Sequence, residues 1–315
     1  MKTWTIGEAD GGARLDAWLA RQPEIGSRGR ARSAIERGKV FLNGEGQDFA
    51  DAATRLSPGD QVGYWEDRPG SARTPARDVV SARAALRIVH EDAAILAVDK
   101  QPGWLVEPLP GEEGSEVTLL DLLRDHLRAA RRRPFVVHRI DRDTSGLVLF
   151  ALTPAARDDL KRQFERRTPE RIYLAVVHGL VVPASGTWRD HLVWDRERLI
   201  QRRAHIHEER AREAVARYRV LEQHEGGAVV EVSLVTGKRN QIRVQAGLRG
   251  YPLVGERLYT YGRQGEPGPR LELGRQALHA ATLAFRHPED HRPVQLDAPL
   301  PDDLRNLIDR LRAGS

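Results

Sequence analysis

The chain has 315 residues, roughly two domains' worth, with 40% hydrophobic residues, 30% charged residues and a net charge of +5. The absence of cysteine excludes disulfides, cysteine nucleophiles and thiolate metal sites. No apolar run approaches the roughly 18 residues of a membrane span, and Met1-Lys2-Thr3-Trp4-Thr5 lacks an apolar leader core, so a soluble, cytoplasmic protein is expected. Arginine far outnumbers lysine, which occurs only at Lys2, Lys39, Lys100, Lys161 and Lys238. A planar guanidinium suits phosphates and bases, although GC-rich coding accounts for most of this bias.

Residues 12–65 read as a small unit. Leu15, Trp18 and Leu19 recur at helical spacing. Ser27 is placed to cap a second helix carrying Arg28, Arg30, Arg32 and Arg37, with Gly38 at its end. Lys39-Val40-Phe41-Leu42 then runs as a strand into an Asn43-Gly44 turn. Residues 66–80, rich in Pro, Gly and charge, have little periodicity and read as a linker. Ile88–Asp92 and Ala94–Lys100 suggest a β-hairpin, Thr118 a helix cap, and Gly146–Ala151 an apolar strand. Pro154 opens another helix, Ile172–Val177 is a strand, and Ala214–Val220, Ala228–Val235 and Gln241–Val244 are expected to be further strands. Many strands with few helices indicate an α+β fold.

Two charged stretches interrupt the apolar pattern. His138-Arg139-Ile140-Asp141-Arg142-Asp143-Thr144-Ser145-Gly146 lies between two strands, where loops often carry function. Read alone, it is better explained as a solvated turn with local ion pairs. In Thr236-Gly237-Lys238-Arg239-Asn240-Gln241-Ile242-Arg243-Val244, an extended backbone would put Gln241 and Arg243 on one face and Ile242 on the other. Arg243 is then a candidate partner for the Asp141 carboxylate.

The first stretch, continued by Leu147, resembles the signature of the RluA-type pseudouridine synthases, His-Arg-Leu-Asp-x-x-Thr-Ser-Gly-Leu, with Ile140 for leucine. Further blocks follow in the family's order. They are Asp99-Lys100-Gln101-Pro102-Gly103, Arg171-Ile172-Tyr173-Leu174-Ala175, Thr236–Val244, Pro252-Leu253-Val254-Gly255-Glu256 and Leu278-His279-Ala280. The N-terminal unit resembles the S-four-like RNA-binding domain through Arg14-Leu15-Asp16, Ser27-Arg28, Ile35–Val40, Asn43-Gly44 and Gly59-Asp60.

The resemblance implies a mixed, mainly antiparallel β-sheet core with flanking helices over residues 87–315. It also implies a small α+β RNA-binding domain over 1–66 and a linker over 67–86. The implied activity is isomerisation of uridine in structured RNA, with ribosomal RNA favoured over transfer RNA, after the base has been flipped out of its helix. Asp141 would be the catalytic carboxylate, acting on the sugar or on the base. Tyr173 would pack on the flipped base and help remove the carbon-5 proton, and Arg243 would orient Asp141. Arg139 would fill the vacated place in the RNA and Ile242 would floor the base pocket. Lys238, Thr144, Arg28, Arg30, Arg32 and Lys39 would add RNA contacts. Asp143 would be a bystander.

No metal or cofactor is implied, a monomer is the default, and His205-Ile206-His207 reads as a solvated strand or loop. Lys238, Arg239-Asn240, Gln245 and Glu107 depart from the family pattern and bear on substrate identity. Two other readings are a catalytically degenerate RNA-binding or ribosome-associated module, which the retained Asp141, Tyr173 and Arg243 oppose, and a hydrolase of N-glycosides. The latter needs a second positioned carboxylate.

Overall fold

A computed structural model describes residues 2–36, 39–43, 54–64, 86–108, 116–195, 200–205, 207–261 and 271–314. The chain divides into two compact units. In the N-terminal unit, β1 (Lys2–Thr5), β2 (Val40–Leu42) and β3 (Gln61–Tyr64) form an antiparallel sheet in the order β1-β3-β2. Helix α1 (Leu15–Leu19) and helix α2 (Arg28–Glu36) complete it. Leu15, Trp18 and Leu19 are buried together with Ile25, Ala34, Ile35 and Val62, as their helical spacing requires. Ser27 Oγ accepts the Arg30 N–H at 3.3 Å, so the expected cap is present. Asn43 adopts φ 58°, and its side-chain oxygen accepts the Gln61 N–H at 2.8 Å. Arg37, Gly38, Gly44 and the expected linker, apart from Leu86, lie outside the described residues.

The second unit holds, among the described residues, an 11-stranded sheet. Its strands are β4 (Arg87–Glu91), β5 (Ile95–Lys100), β6 (Phe135–Val136), β7 (Ser145–Ala151), β8 (Glu170–His178), β9 (Ser185–Asp195), β10 (Ile200–Arg203), β11 (Arg212–His224), β12 (Gly227–Leu234), β13 (Leu278–Arg286) and β14 (Pro293–Asp297). The order is β10-β9-β11-β12-β8-β13-β7-β5-β4, with β14 on β13 and β6 on β7. From β9 to β4 the pairing is antiparallel except between β13 and β7, which gives the expected mixed α+β architecture. Helices α3 (Leu119–Leu127), α4 (Pro154–Glu165), α5 (Gln241–Leu248) and α6 (Asp302–Ala313) flank the sheet. Among the described residues no helix is long and apolar enough to cross a membrane.

Alternation along the central strands explains their unbroken apolar character. On β5 and β7, Leu96, Val98, Val148 and Phe150 face a cluster that includes Leu119, Leu123 and Leu127 of α3. Ile95, Ala97, Leu147 and Leu149 face a second cluster with Ala156 and Leu160 of α4. Val176 of β8 packs against Leu304, Leu307, Ile308 and Leu311 of α6. Thr118 heads α3 in a reciprocal capping box with Asp121.

One expected strand is a helix. Gln241 to Val244 belong to α5 and are not extended, despite the β-branched Ile242 and Val244. Asn240, at φ 52°, turns the chain, and the Gln241 side-chain oxygen accepts the Lys238 N–H at 3.0 Å and the Thr236 hydroxyl at 2.8 Å. One turn later, Gln241 Nε2 donates to Gln245 Oε1 at 3.1 Å. This buried polar ladder works only at the four-residue spacing of a helix, and it overrides β-propensity.

Gly146 is the tightest point where the signature loop joins the sheet. It sits at φ +106°, and a Cβ there would lie 2.2 Å from the Ala280 carbonyl oxygen on β13. Gly146→Ala is expected to cost about 3 kcal/mol in urea unfolding, from strain plus overpacking. A loss below about 1 kcal/mol would show that β13 yields easily.

Candidate active site

The signature loop hangs between β6 and β7, and nearly every residue in it is tied down. His138 is tied into the sheet and does not face outward with Arg139. Its Nε2 accepts the Leu149 N–H at 2.9 Å, and its ring stacks on Phe164 with centroids 4.7 Å apart. Burial, reinforced by the Arg171 charge, pushes the imidazole down to about 3, so it is neutral. Thr144 N–H donates to the Asp141 carbonyl at 3.1 Å, closing a turn. The Arg142 carbonyl accepts from Gly103 N–H at 2.9 Å and from Lys100 Nζ at 2.6 Å. The Arg142 side chain grips Glu116 at 2.6 and 2.7 Å. On the far side, Arg275 donates to the Asp143 carbonyl at 3.1 Å and is fixed by Asp303 at 2.7 and 3.0 Å.

With the loop so held, Asp141 presents its carboxylate to Arg243, Nη1 to Oδ2 at 3.6 Å. Arg243 is itself clamped. Its Nε and Nη2 donate to Glu256 at 2.6 and 2.8 Å, its Nη1 to Asn240 Oδ1 at 3.0 Å, and it lies 5.2 Å over the Tyr259 ring. Burial works against the Arg243 cation, but the Glu256 carboxylate outweighs it and raises the guanidinium above its ordinary range. Burial likewise works against the Glu256 carboxylate, and Arg243 reverses it and holds the group low. Tyr173 and Ile242 pack in one cluster with Ile140. Burial pushes the Tyr173 phenol up to about 12, with Arg171 opposing and Asp141 adding to the shift. The phenol is therefore protonated at neutral pH.

The remaining sequence-predicted residues are placed as follows. Arg139 is exposed and ion-pairs with Glu107 at 3.5 Å. Lys238 is half-buried, and burial, then Arg167 and Arg212, push its amine down. Thr144 is buried, and its hydroxyl accepts from Gln276 Nε2 at 3.4 Å, so it supports the loop from inside. Lys39 is buried in the N-terminal unit at 5% exposure, because its N–H closes on the Ala34 carbonyl at 2.8 Å and tucks the residue under α2. Arg28 and Arg32 converge with Arg14 on the fully buried Asp16, at 3.6, 3.2 and 3.1 Å, and Arg30 stays exposed. The Arg14 hydrogen bonds, despite burial, hold Asp16 well below the usual carboxylate range. His205 and His207 are exposed, and among the described residues no acidic or histidine cluster is arranged for a metal.

Lys100 and Glu256 are functional candidates that residue-by-residue reading missed, although both stand inside quoted blocks. Lys100 is 1% exposed and also donates to the Gln101 carbonyl at 3.1 Å. Burial, opposed by Asp143 and Asp141, pushes its amine down to about 7. The unfolded chain, with lysine at its ordinary 10.5, keeps that proton in a window where the folded chain has released it. Stability therefore gains as pH rises from about 7 towards 10. For Lys100→Met, the stability difference from wild type is expected to move in favour of wild type by up to about 1.4 kcal/mol per pH unit across that window. Urea unfolding at several pH values reads it, and a flat difference would mean that Lys100 stays charged.

A carboxylate facing a doubly anchored arginine, with the buried Tyr173 carrying its charge effect, forms the candidate site. Residues 94–247 match the family described as RNA pseudouridylate synthase. The RNA pseudouridine synthase YlyB of Bacillus subtilis (strain 168), named as uncharacterized, is 34% identical, covering 98% of this chain and 97% of that protein. The ribosomal large subunit pseudouridine synthase D of Xanthomonas campestris pv. campestris is 33% identical, covering 100% of this chain and 94% of that protein. In fold, the chain is similar to human RNA pseudouridylate synthase domain containing 4, with TM-score 0.60 at 20% identity over 74% of this chain and 97% of that one. The chain belongs to the RluA-type RNA pseudouridine synthases, enzymes that modify RNA.

Proposed function

We propose that this enzyme isomerises uridine in large-subunit ribosomal RNA with Asp141 as its catalytic carboxylate. The observation that carries the reading is the 3.6 Å contact between Asp141 and Arg243, next to the cluster containing Tyr173 and Ile242. The bond from the sugar to the base nitrogen breaks, a bond from the sugar to carbon 5 forms, carbon 5 gives up its proton, and the nitrogen takes one. A carboxylate that engages the sugar or the base serves this exchange, and the arginine holds it in place. The neutral Tyr173 phenol packs on the flipped uracil before the carbon-5 proton leaves. Exposed Arg139 enters the RNA where the base has left, exchanging Glu107 for the nucleic acid. Relatives named as ribosomal large subunit enzymes support the substrate. The N-terminal unit, residues 1–66, joins through a linker over 67–86 to the catalytic domain over 87–315. It presents Arg28, Arg30 and Arg32 to RNA phosphates, and the enzyme works in the cytoplasm.

The test is release of tritium from unmodified large-subunit ribosomal RNA labelled at carbon 5 of uridine. Release that plateaus at a whole number per RNA, with chain length preserved, is expected. No release from this RNA would overturn the substrate assignment, and no release from any cellular RNA would overturn the activity.

A further inference from the structure

Arg171 of β8 is a cation without an anion. Its Nε is buried with no hydrogen-bond partner, and its Nη2 reaches only the Leu234 carbonyl at 3.3 Å. The guanidinium lies 5.9 Å over the Phe164 ring. Nη1 occupies the space beside Gly237, where a Cβ would come within 2.6 Å of it, so the missing side chain makes the room. Among the described residues no carboxylate pairs with Arg171. Burial weighs most against its charge, the Tyr173 phenol opposes, and the neighbouring Arg167 adds a like charge. Arg167 depresses both Arg171 and Lys238, and Arg212 depresses Lys238 further, after burial in each case. Neither Lys238, Arg167 nor Arg212 has an acidic partner among the described residues, whereas the enclosed Arg243 and Arg275 are each clamped by a carboxylate. Burying an unpaired charge is costly, and gathering like charges around it costs more. A fold that keeps this arrangement is completed by an anion from outside.

We infer that Arg171, with Lys238, Arg167 and Arg212 around it, forms a seat for one backbone phosphate of the RNA beside the uridine being modified. This rests on the reading of the chain as an enzyme acting on RNA. The position follows from strand geometry. Arg171 and Tyr173 are two residues apart on β8, so they share a face about 7 Å apart. Tyr173 feels the Asp141 charge and so belongs to the base pocket. The seat is therefore about one nucleotide from the target. Its grading suits a phosphodiester. Arg171 and Lys238 are partly buried, while Arg167 and Arg212 are exposed at the rim. The inner guanidinium offers a directional fork and the rim offers long-range attraction.

The experiment uses the full chain and an unmodified large-subunit ribosomal RNA transcript, with affinity measured over a range of KCl. Arg171→Gln is expected to weaken binding about tenfold and to make the dependence of log affinity on log salt shallower by about one. It should raise KM while leaving kcat within about twofold. Gly237→Ala, which displaces the guanidinium and keeps its charge, should act in the same direction, and Arg171→Lys should recover the salt slope. Removing an unpaired buried charge should leave the melting temperature of Arg171→Gln equal to wild type or higher. An unchanged salt slope in Arg171→Gln, or a fall in its melting temperature, would overturn the proposal. Tritium release by the wild-type chain is read separately. Its absence alongside the predicted salt effect would sink the substrate or activity assignment and leave the phosphate seat standing.

Discussion

Asp141→Asn is expected to lower tritium release from carbon-5-labelled RNA by at least about four orders of magnitude, with melting temperature and RNA affinity close to wild type. The size follows from the role. A carboxylate oxygen that engages the reacting atoms has no substitute in an amide of the same shape. The retained fold follows from the loop, whose backbone is held independently of the Asp141 side chain. Lys100 and Gly103 hold the Arg142 carbonyl, and Arg275 holds the Asp143 carbonyl. Arg243 remains anchored by Glu256 and Asn240 when the carboxylate becomes an amide. Asp143→Asn is the paired control, because it removes the other carboxylate of the loop. Its charge faces the buried Lys100 ammonium, so that variant should lose stability before it loses chemistry. Full activity in Asp141→Asn together with loss in Asp143→Asn would reverse the two roles.

How much of this could be read beforehand differs between elements for physical reasons. The α3 helix was legible because Thr118, Asp121 and the Leu119, Leu122, Leu123 spacing all signal one structure, and α4 because Pro154 follows Thr153. Strands β5, β7 and β8 were legible as apolar runs, since both faces of each are covered. Strand β9 carries Gly186, Arg189 and Asp190 and alternates poorly, and its pairing with β11 is nonlocal, so no local pattern exposes it. Helix α5 was misread because Ile242 and Val244 look like a strand, and the Thr236–Gln241–Gln245 ladder that decides the matter is visible only in three dimensions.

At the site, the order of family blocks in the chain marked Asp141, Tyr173 and Arg243, and the fold brings Arg243 onto Asp141. It included Glu256 at the end of a block but gave it no role, because an acid after glycine looks like any turn until its arginine is found. Nor did it mark the neutrality of His138, which comes from burial reinforced by the Arg171 charge, neither of them visible in the local sequence.

Glu256→Gln carries the second large effect. Glu256 is inaccessible at its side chain and Arg243 is 12% exposed, so the pair is desolvated. Removing one partner of such a pair leaves an uncompensated cation and costs about 3–5 kcal/mol. The amide keeps one oxygen that can still accept the N–H groups of Arg257 at 3.0 Å and Leu258 at 2.9 Å, which both go to Glu256 Oε1, so the loss falls on the side facing Arg243. Released on that side, Arg243 is free to close on Asp141, its nearest remaining carboxylate, and to pull it off the position the reaction needs. A misplacement on the order of 1 Å costs about 100-fold in rate, so kcat should fall by that order with KM changed far less.

Acid titration of stability separates the pair from other causes. Glu256 is held below its ordinary 4.5 in the folded chain. Its contribution is therefore complete above that value and is lost as pH falls through the lower folded value. The deficit of Glu256→Gln against wild type should be constant from neutral pH down to about 5 and should shrink below that. A deficit that persists unchanged into acid would assign the cost to the fit of the amide and not to the lost charge, and a variant with wild-type kcat would show that Asn240 and Tyr259 alone hold Arg243 in place.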